Sequence, residues 1–425
     1  MTEQEIFFPL NDPSADECKP ITDIESLRVE KAPKEKKRNS NRNISLDIVK
    51  SVAAFFVLVI HSTLLQRTEL KHYEKNGVEY QWHVTAIYVS LTQCCSSLFM
   101  TVSGILLLHP KHLNDSPRVA MKMFLKRSLI YIVWCIPYNM KYIVETKWRG
   151  RFKKTLFVLL NLIINGDGTF WYLYVLLFLH LATPFFQSAL RSISRLSYEL
   201  SLLSYWLVFQ GLNGLRLLID GWGKGTNFTN MMFFVLAGPF FYAFAEEAAH
   251  PGKKSGYHFV EDQEGILKWL TSINWKKPWV RVATFCTYIG SAFFMYLIWS
   301  YREVTGLPNG LFLTLPHCPF NSVVTISLFL FIYGCGTDWN PESKIGKFFY
   351  WFFSSTGSCT MGIYMLNEFF IFRLFGTYLP IWTGKKWLDF NPVWFSPCLA
   401  VTVYLICWIV TLIAKKIPGI RFFFQ

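Results

Sequence analysis

An all-α, polytopic membrane helix bundle of about ten transmembrane helices, with one short re-entrant or interfacial helix, is the fold class this sequence predicts, and three observations predict it. Composition is the first: of 425 residues, 52% are hydrophobic, 18% aromatic and only 16% charged. With a mean hydropathy of +0.27, this is not the profile of a soluble protein of that length. Recurrence is the second. A hydrocarbon core of about 30 Å needs about 20 apolar residues per helix. Runs of that order lie at 45–66, 84–108, 128–144, 170–187, 199–217, 230–245, 279–299, 319–337, 357–377 and 393–413. The third is charge placement. Basic residues sit between the apolar runs and not in one patch, so the net charge of +14 (42 Lys and Arg against 28 Asp and Glu) reads as topology and speaks against a nucleic-acid partner.

In chain order, residues 1–43 form a polar head rich in Glu, Lys, Asp and Pro, which predicts a disordered tail and no cleavable signal peptide. Six Lys or Arg between Lys31 and Arg42 precede the first span and place the N-terminus in the cytoplasm. Ten spans through residues 44–412 return the short tail 413–425 to the same side. The basic segments Lys111–Arg127, Arg191 with Arg195, Lys253–Lys277 and Lys415 to Arg421 agree with that topology. One stretch disagrees: Lys141, Lys147, Arg149, Arg151, Lys153 and Lys154 fall outside, against the single Glu145. The TLFVLLNLII that follows is too short to span comfortably, so residues 155–165 read as the re-entrant or interfacial helix; if they spanned, every later loop would change sides. The ten cysteines are scattered through apolar runs, apart from the adjacent Cys94 and Cys95. They show no metal-ligand spacing, so they read as buried free thiols and no metal is expected.

The first span, SLDIVKSVAAFFVLVIHS, carries three ionisable side chains. Lys50 and His61 are eleven residues apart, about three turns plus 20°, so both point from one helix face. Asp47 lies about 40° from His61 on the same wheel and completes a polar stripe. His61 sits about 16 Å deeper than Lys50, near the bilayer midplane, where ionisable groups are functional suspects. Asp47 is about 21 Å from His61 along the axis, so its partner is Lys50, one turn away.

Four later segments carry unusual residues. Ser103 and Gly104 in SSLFMTVSGILLLHP make a small polar step that either packs helices closely or admits a ligand chain. Lys126 and Arg127 in FLKRSLIYIVWCIPY anchor the cytoplasmic edge or, beside Lys50, form a basic mouth suited to phosphate. Pro137 kinks the same helix, and carbonyls freed at a kink often line a cavity. In the fourth span, Trp171, Tyr172 and Tyr174 read as an interfacial belt or a cavity wall, and His180 as a satisfied bundle histidine more than a catalyst. In TGSCTMGIYMLNEFFIFRLFG, Tyr364, Asn367, Glu368 and Arg373 share one span. Glu368 and Arg373 are five apart and do not stack as a pair, leaving Glu368 as an interhelical bridge or a cavity carboxylate. Ser103, Trp171, Tyr364, Asn367 and Glu368 are thus the candidate acceptor-site or cavity-lining residues.

The segments LDIVKSVAAFFVLVIH, FMTVSGILLL, FLKRSLIYIVWCIPY, FWYLYVLLFLHLATP and TMGIYMLNEFF, in this order over residues 44–412, resemble the membrane acyltransferase 3 family of sugar and lipid O-acyltransferases. Within it, the likeness is to single-domain O-acetyltransferases of cell-surface polysaccharides. The resemblance implies that His61 matches the family's essential membrane histidine, Lys50 its paired basic residue and Asp47 the acidic position of the same motif. The chain departs from the pattern at Ile130, where an arginine often follows Arg127 by three, and at Thr169 and Asn367, where histidines are common.

Acyl transfer from a thioester to a hydroxyl needs a group that takes the hydroxyl proton, and a histidine serves either as that base or as a transient acyl carrier. The expectation is therefore an integral-membrane O-acyltransferase with His61 as its catalytic residue. An acyl-CoA, acetyl-CoA foremost, is the expected co-substrate, with its phosphates at Lys50, Lys126 and Arg127 and with Asp47 joining the donor site as the partner of Lys50. The expected acceptor is a hydroxyl-bearing glycan or lipid, and no cofactor is permanently bound. The alternative is a secondary transporter with the embedded charges as its substrate or proton pathway, although the Asp, Lys, His segment has no second copy to mark a repeat. A scaffold in which the charges act as interhelical glue is a third reading.

Overall fold

The computed structural model describes residues 43–70, 79–109, 112, 116–145, 170–212, 227–250, 273–274, 277–304, 319–337, 339–385 and 389–424. The expected N-terminal tail and the expected re-entrant helix at 155–165 lie outside the described residues. Every regular element among those described is helical. The first four helices are α1 (Ile44–Leu70), α2 (Glu79–Thr92), α3 (Cys95–Leu107) and α4 (Pro117–Glu145). They are followed by α5 (Trp171–Ser192), α6 (Arg195–Tyr205), α7 (Asn227–Ala249) and α8 (Pro278–Val304). The last four are α9 (Pro319–Gly336), α10 (Lys344–Glu368), α11 (Gly376–Thr383) and α12 (Pro392–Ala414). Polar residues open several of them. Ser194, Ser343 and Asn391 accept hydrogen bonds from the backbone N–H groups of Ser197, Gly346 and Val393, and Pro392 fills the first turn of α12, where an N–H would have no partner.

Six segments are long and apolar enough to cross a membrane: Ile44–Gln66, Tyr80–Leu107, Trp171–Ser192, Pro278–Ser300, Pro319–Gly336 and Pro392–Ala414. Six of the ten expected spans coincide with these segments. The other four expected spans fall on α4, α6, α7 and α10, which are helical; α4 is polar at its start, with Arg118, Lys122, Lys126 and Arg127 in its first three turns. The outward face of α8, with Trp279, Val282, Phe293 and Leu297 exposed, is a surface suited to lipid.

Two spans read as single helices are interrupted. The second breaks at Gln93 and Cys94 between α2 and α3, where the Thr92 hydroxyl bonds back to the Tyr88 carbonyl at 2.7 Å. Side-chain hydroxyls that compete for backbone carbonyls bend and end helices in this way. The ninth leaves α-helical register after Glu368: Phe369–Phe375 forms a π-helix before α11 resumes. A second π segment, Trp206–Leu212, extends α6.

α1 is the hub, packed against α2, α3, α9, α10 and α12. It runs parallel to α10, since Ser51 meets Thr356 at 2.8 Å near one end and His61 meets Asn367 at 2.8 Å near the other. Glycines set this spacing. A Cβ on Gly357 would stand 2.7 Å from the Asp47 Cβ, and one on Gly104 or Gly238 would enter the backbone of Val235 or Thr101. The α3–α7 crossing is therefore a reciprocal small-residue contact. One apolar cluster surrounds α1 and includes Val49, Leu58, Leu98, Phe329, Ile363 and Cys407; a second joins α3 to α7 through Met100, Tyr131, Leu173, Tyr198 and Phe234.

The C-terminal tail, expected as a short cytoplasmic end, folds back onto the bundle. Ile420–Phe424 forms a short 3₁₀ turn. Its Phe424 ring packs edge-on against Trp134 at 5.4 Å, and the Phe423 carbonyl accepts a hydrogen bond from the Trp134 indole at 3.3 Å. Eight cysteines are described, all free; Cys94, Cys95, Cys135, Cys359 and Cys407 are buried as expected, whereas Cys286, Cys335 and Cys398 lie on the surface.

Candidate active site

A cavity of about 470 Å³ opens between α1, α3, α4, α5 and α10. Its walls follow helical periodicity. α5 contributes Tyr172, Leu176, His180, Thr183 and Gln187; α4 contributes Ala120, Met123 and Arg127; and α10 contributes Gly357, Thr360, Met361 and Tyr364. These spacings of three and four keep each set on one helix face. Lys50 enters from α1 and Ser103 from α3.

Two cations serve the cavity. The Lys50 ammonium is fixed by Asp47 at 2.6 Å, with the lysine side chain 23% exposed and the aspartate 4%. Asp47 does not line the cavity; it is buried behind Lys50 and closed in by Gly357. An ammonium has three donors, so the bond to Asp47 leaves others for a ligand. Arg127 lies on the opposite wall, within electrostatic reach of His180 and Tyr172. Lys126, expected beside it, turns away: its ammonium lies 5.3 Å over the Phe422 ring of the C-terminal tail. Adjacent residues on a helix differ by about 100°, so only one of the pair can face the cavity.

The aromatic expectation shifts by one residue for the same reason. Trp171 lies off the cavity wall, while Tyr172 shares a 2.9 Å hydrogen bond with Ser103 and meets the Tyr364 ring edge-on at 5.5 Å. The small step at Ser103 and Gly104 divides its two expected roles: Gly104 is the packing notch against α7, and Ser103 faces the cavity. His180 is both satisfied and cavity-lining. Its Nδ1 lies 2.7 Å from the Leu176 carbonyl, so that nitrogen carries the proton and Nε2 is the remaining acceptor.

His61 does not line this cavity. It is half-buried on α1 with its ring 5.5 Å from Phe372, and its Nδ1 is 2.8 Å from Asn367 Oδ1. Asn367 is buried, and its Nδ2 donates to the Tyr364 carbonyl at 2.5 Å. That second bond orients the amide. Since Nδ2 faces a carbonyl, Oδ1 faces His61, Nδ1 of the imidazole must donate, and Nε2 keeps its lone pair. Tyr364 thus belongs to the cavity wall and, through Asn367, to the support of His61. Glu368 lines no described cavity, and no ion pair links it to Arg373, as their spacing implies.

Sequence reasoning did not find Thr183 and Gln187 as cavity groups, nor the cavity face of His180. The signal was available: Tyr172, His180, Thr183 and Gln187 recur at offsets of 8, 3 and 4 along one otherwise apolar helix. Gln187 also closes the end of α3, its Nε2 donating to the Leu107 carbonyl at 3.2 Å.

No curated protein and no solved structure matches the chain. A family model does. Residues 43–412, nearly the whole chain, match the acyltransferase 3 model, described as an acyltransferase domain, so the protein belongs to that family of membrane acyltransferases.

Proposed function

We propose that the protein is an acyl-CoA-dependent O-acyltransferase, with acetyl-CoA the first donor to test and a hydroxyl-bearing glycan or lipid as acceptor. The observation that carries this reading is the orientation of His61: the Asn367 oxygen, set by the Asn367 Nδ2 bond to the Tyr364 carbonyl, accepts the hydrogen bond from Nδ1–H and leaves Nε2 as a base. The cavity beginning at Lys50 supplies the donor side. Lys50 and Arg127 provide a point charge and a guanidinium fork for phosphate oxygens, and the apolar wall of Phe99, Val102 and Met361 suits the flexible arm of the thioester.

In the proposed reaction, His61 Nε2 takes the proton of the acceptor hydroxyl as its oxygen attacks the thioester carbonyl. The new C–O bond forms, the C–S bond breaks, and the departing thiolate takes the proton back from the imidazolium. Asp47 holds Lys50 and does not touch the donor; Lys126 anchors the tail. Ten spans, including the four expected on α4, α6, α7 and α10, would place both termini and the Lys50 mouth in the cytoplasm, in keeping with the six basic residues before the first span.

Purified protein in detergent, given acetyl-CoA labelled on the acetyl group and a panel of sugar and lipid acceptors, tests the proposal. Label moves to a hydroxyl with wild type and not with His61→Ala. Equal transfer by both proteins would remove His61 from the chemistry, and absence of transfer from any acyl-CoA by the wild type would remove the donor assignment.

A further inference from the structure

A second cavity, of about 430 Å³, lies away from the first between α4 and the π segment that follows α10. Trp134, Pro137 and Tyr138 form one wall; Leu366, Phe369 and Arg373 form the other. The polar ends of the two ring systems are already engaged. The Trp134 indole donates to the Phe423 carbonyl, and the Tyr138 hydroxyl donates to the Met365 carbonyl and accepts from the Phe369 N–H at 3.2 Å. Tyr138 therefore holds the point where α10 leaves α-helical register, and π segments of this kind recur at functional sites.

Arg373 is the polar group left over. No hydrogen bond or ion pair among the described residues engages its guanidinium, and no carboxylate there lies within ion-pair distance. It belongs to the apolar run 357–377 and is exposed, next to the exposed Phe369. An exposed cation within an apolar run, beside a cavity walled by aromatic rings, suits an anion that reaches it from a membrane lipid.

We propose that this cavity binds the phosphate-bearing head of a membrane lipid of net negative charge, such as a phosphatidylglycerol. The guanidinium would take the phosphate oxygens in a fork, and the Trp134 and Phe369 rings would lie along the adjoining glycerol and first methylenes. The site needs neither acyl-CoA nor His61, so it stands apart from the acyl-transfer reading. It does share a helix with that reading: Leu366, on the cavity wall, directly precedes Asn367, which holds His61.

Full-length protein, immobilised in detergent, is to be equilibrated with tritiated dioleoyl phosphatidylglycerol and challenged with unlabelled competitors. Saturable binding is expected, displaced by phosphatidylglycerol and not by dioleoyl phosphatidylcholine or by soluble glycerol 3-phosphate at equal concentration. Arg373→Gln should weaken binding about tenfold, the loss of a charge-assisted contact, while Arg373→Lys, which keeps the charge and loses the fork, should weaken it by less. Phe369→Asp, at an exposed position, should pair with Arg373 and abolish retention without disturbing the core. Unchanged binding in both Arg373→Gln and Phe369→Asp would overturn the proposal, as would equal displacement by phosphatidylcholine. Full displacement by glycerol 3-phosphate would overturn its lipid source. The competition on wild type alone decides the matter if Arg373→Gln does not fold.

Discussion

At Lys50, α1 faces open space: the ammonium is held on one side by Asp47 and on the other looks across a cavity of about 470 Å³ toward Arg127, His180 and the tyrosines. Eleven residues on, at His61, the same helix face meets Asn367 and Phe372 directly. One end of the helix opens on a cavity with two cations in its walls, and the other holds a single ring in one orientation. In the proposed function this difference separates donor binding from chemistry along one element, with α10 running parallel as the second rail: Tyr364 lines the cavity and Asn367, one turn further, holds the histidine.

Substitutions can break that division. The largest effect is expected at the closed end, where His61→Ala should lower kcat on the order of 10³-fold, as loss of a general base does. Donor KM should barely move. Lys50→Ala should give the reverse pattern, raising donor KM about 10- to 100-fold with kcat near wild type, the range for one lost charged hydrogen bond. Steady-state kinetics with varied acetyl-CoA separates the two. If both variants lower kcat alone, the division into a binding end and a chemical end fails.

Asn367→Leu sharpens the contrast. Removing the Nδ1 partner releases the tautomer and should reduce kcat about tenfold while leaving donor KM unchanged, although Asn367 sits a single turn from Tyr364 on the cavity wall. A rise in donor KM instead would make Asn367 part of the cavity. Stability tests the spacing of the rails. Gly357→Val forces a side chain into Asp47 and should cost about 1–3 kcal/mol, read as a lower unfolding temperature in detergent. Gly290→Ala, where nothing lies within 4 Å, is the control and should cost nothing. The smallest effect is expected from Lys126→Ala: a cation over the Phe422 ring contributes about 0.5–1 kcal/mol at a partly exposed site, so acetyl-CoA kinetics should stay within about twofold of wild type.

How much of this was legible depended on whether an interaction lies within one helix or between helices. The Asp47–Lys50 pair was readable because both residues sit on one turn, and the failure of Glu368 to pair with Arg373 was readable from their spacing. The choice between Lys126 and Arg127, or between Trp171 and Tyr172, was not. Each pair is adjacent, both members suit the role chemically, and the rotation of α4 and α5 about their own axes selects one. That rotation is set by packing across the bundle. Interruptions were hidden as well: hydropathy across 84–108 and 357–377 is continuous, while the backbone breaks at Gln93 and Cys94 and shifts to π register after Glu368.

The sequence by itself determined a helical membrane protein, the polar stripe of α1 and the family, because composition, a period of 3.6 residues and the order of motifs are properties of the chain alone. The tertiary structure decided what the stripe means. It turned Arg127 and His180 toward Lys50, set Asn367 beside His61 with its oxygen inward, folded the C-terminal phenylalanines against Trp134, and left Arg373 at a separate cavity. The physical reason is that helix rotation and register follow from the close approaches that glycines such as Gly104 and Gly357 allow, and a close approach belongs to two segments at once.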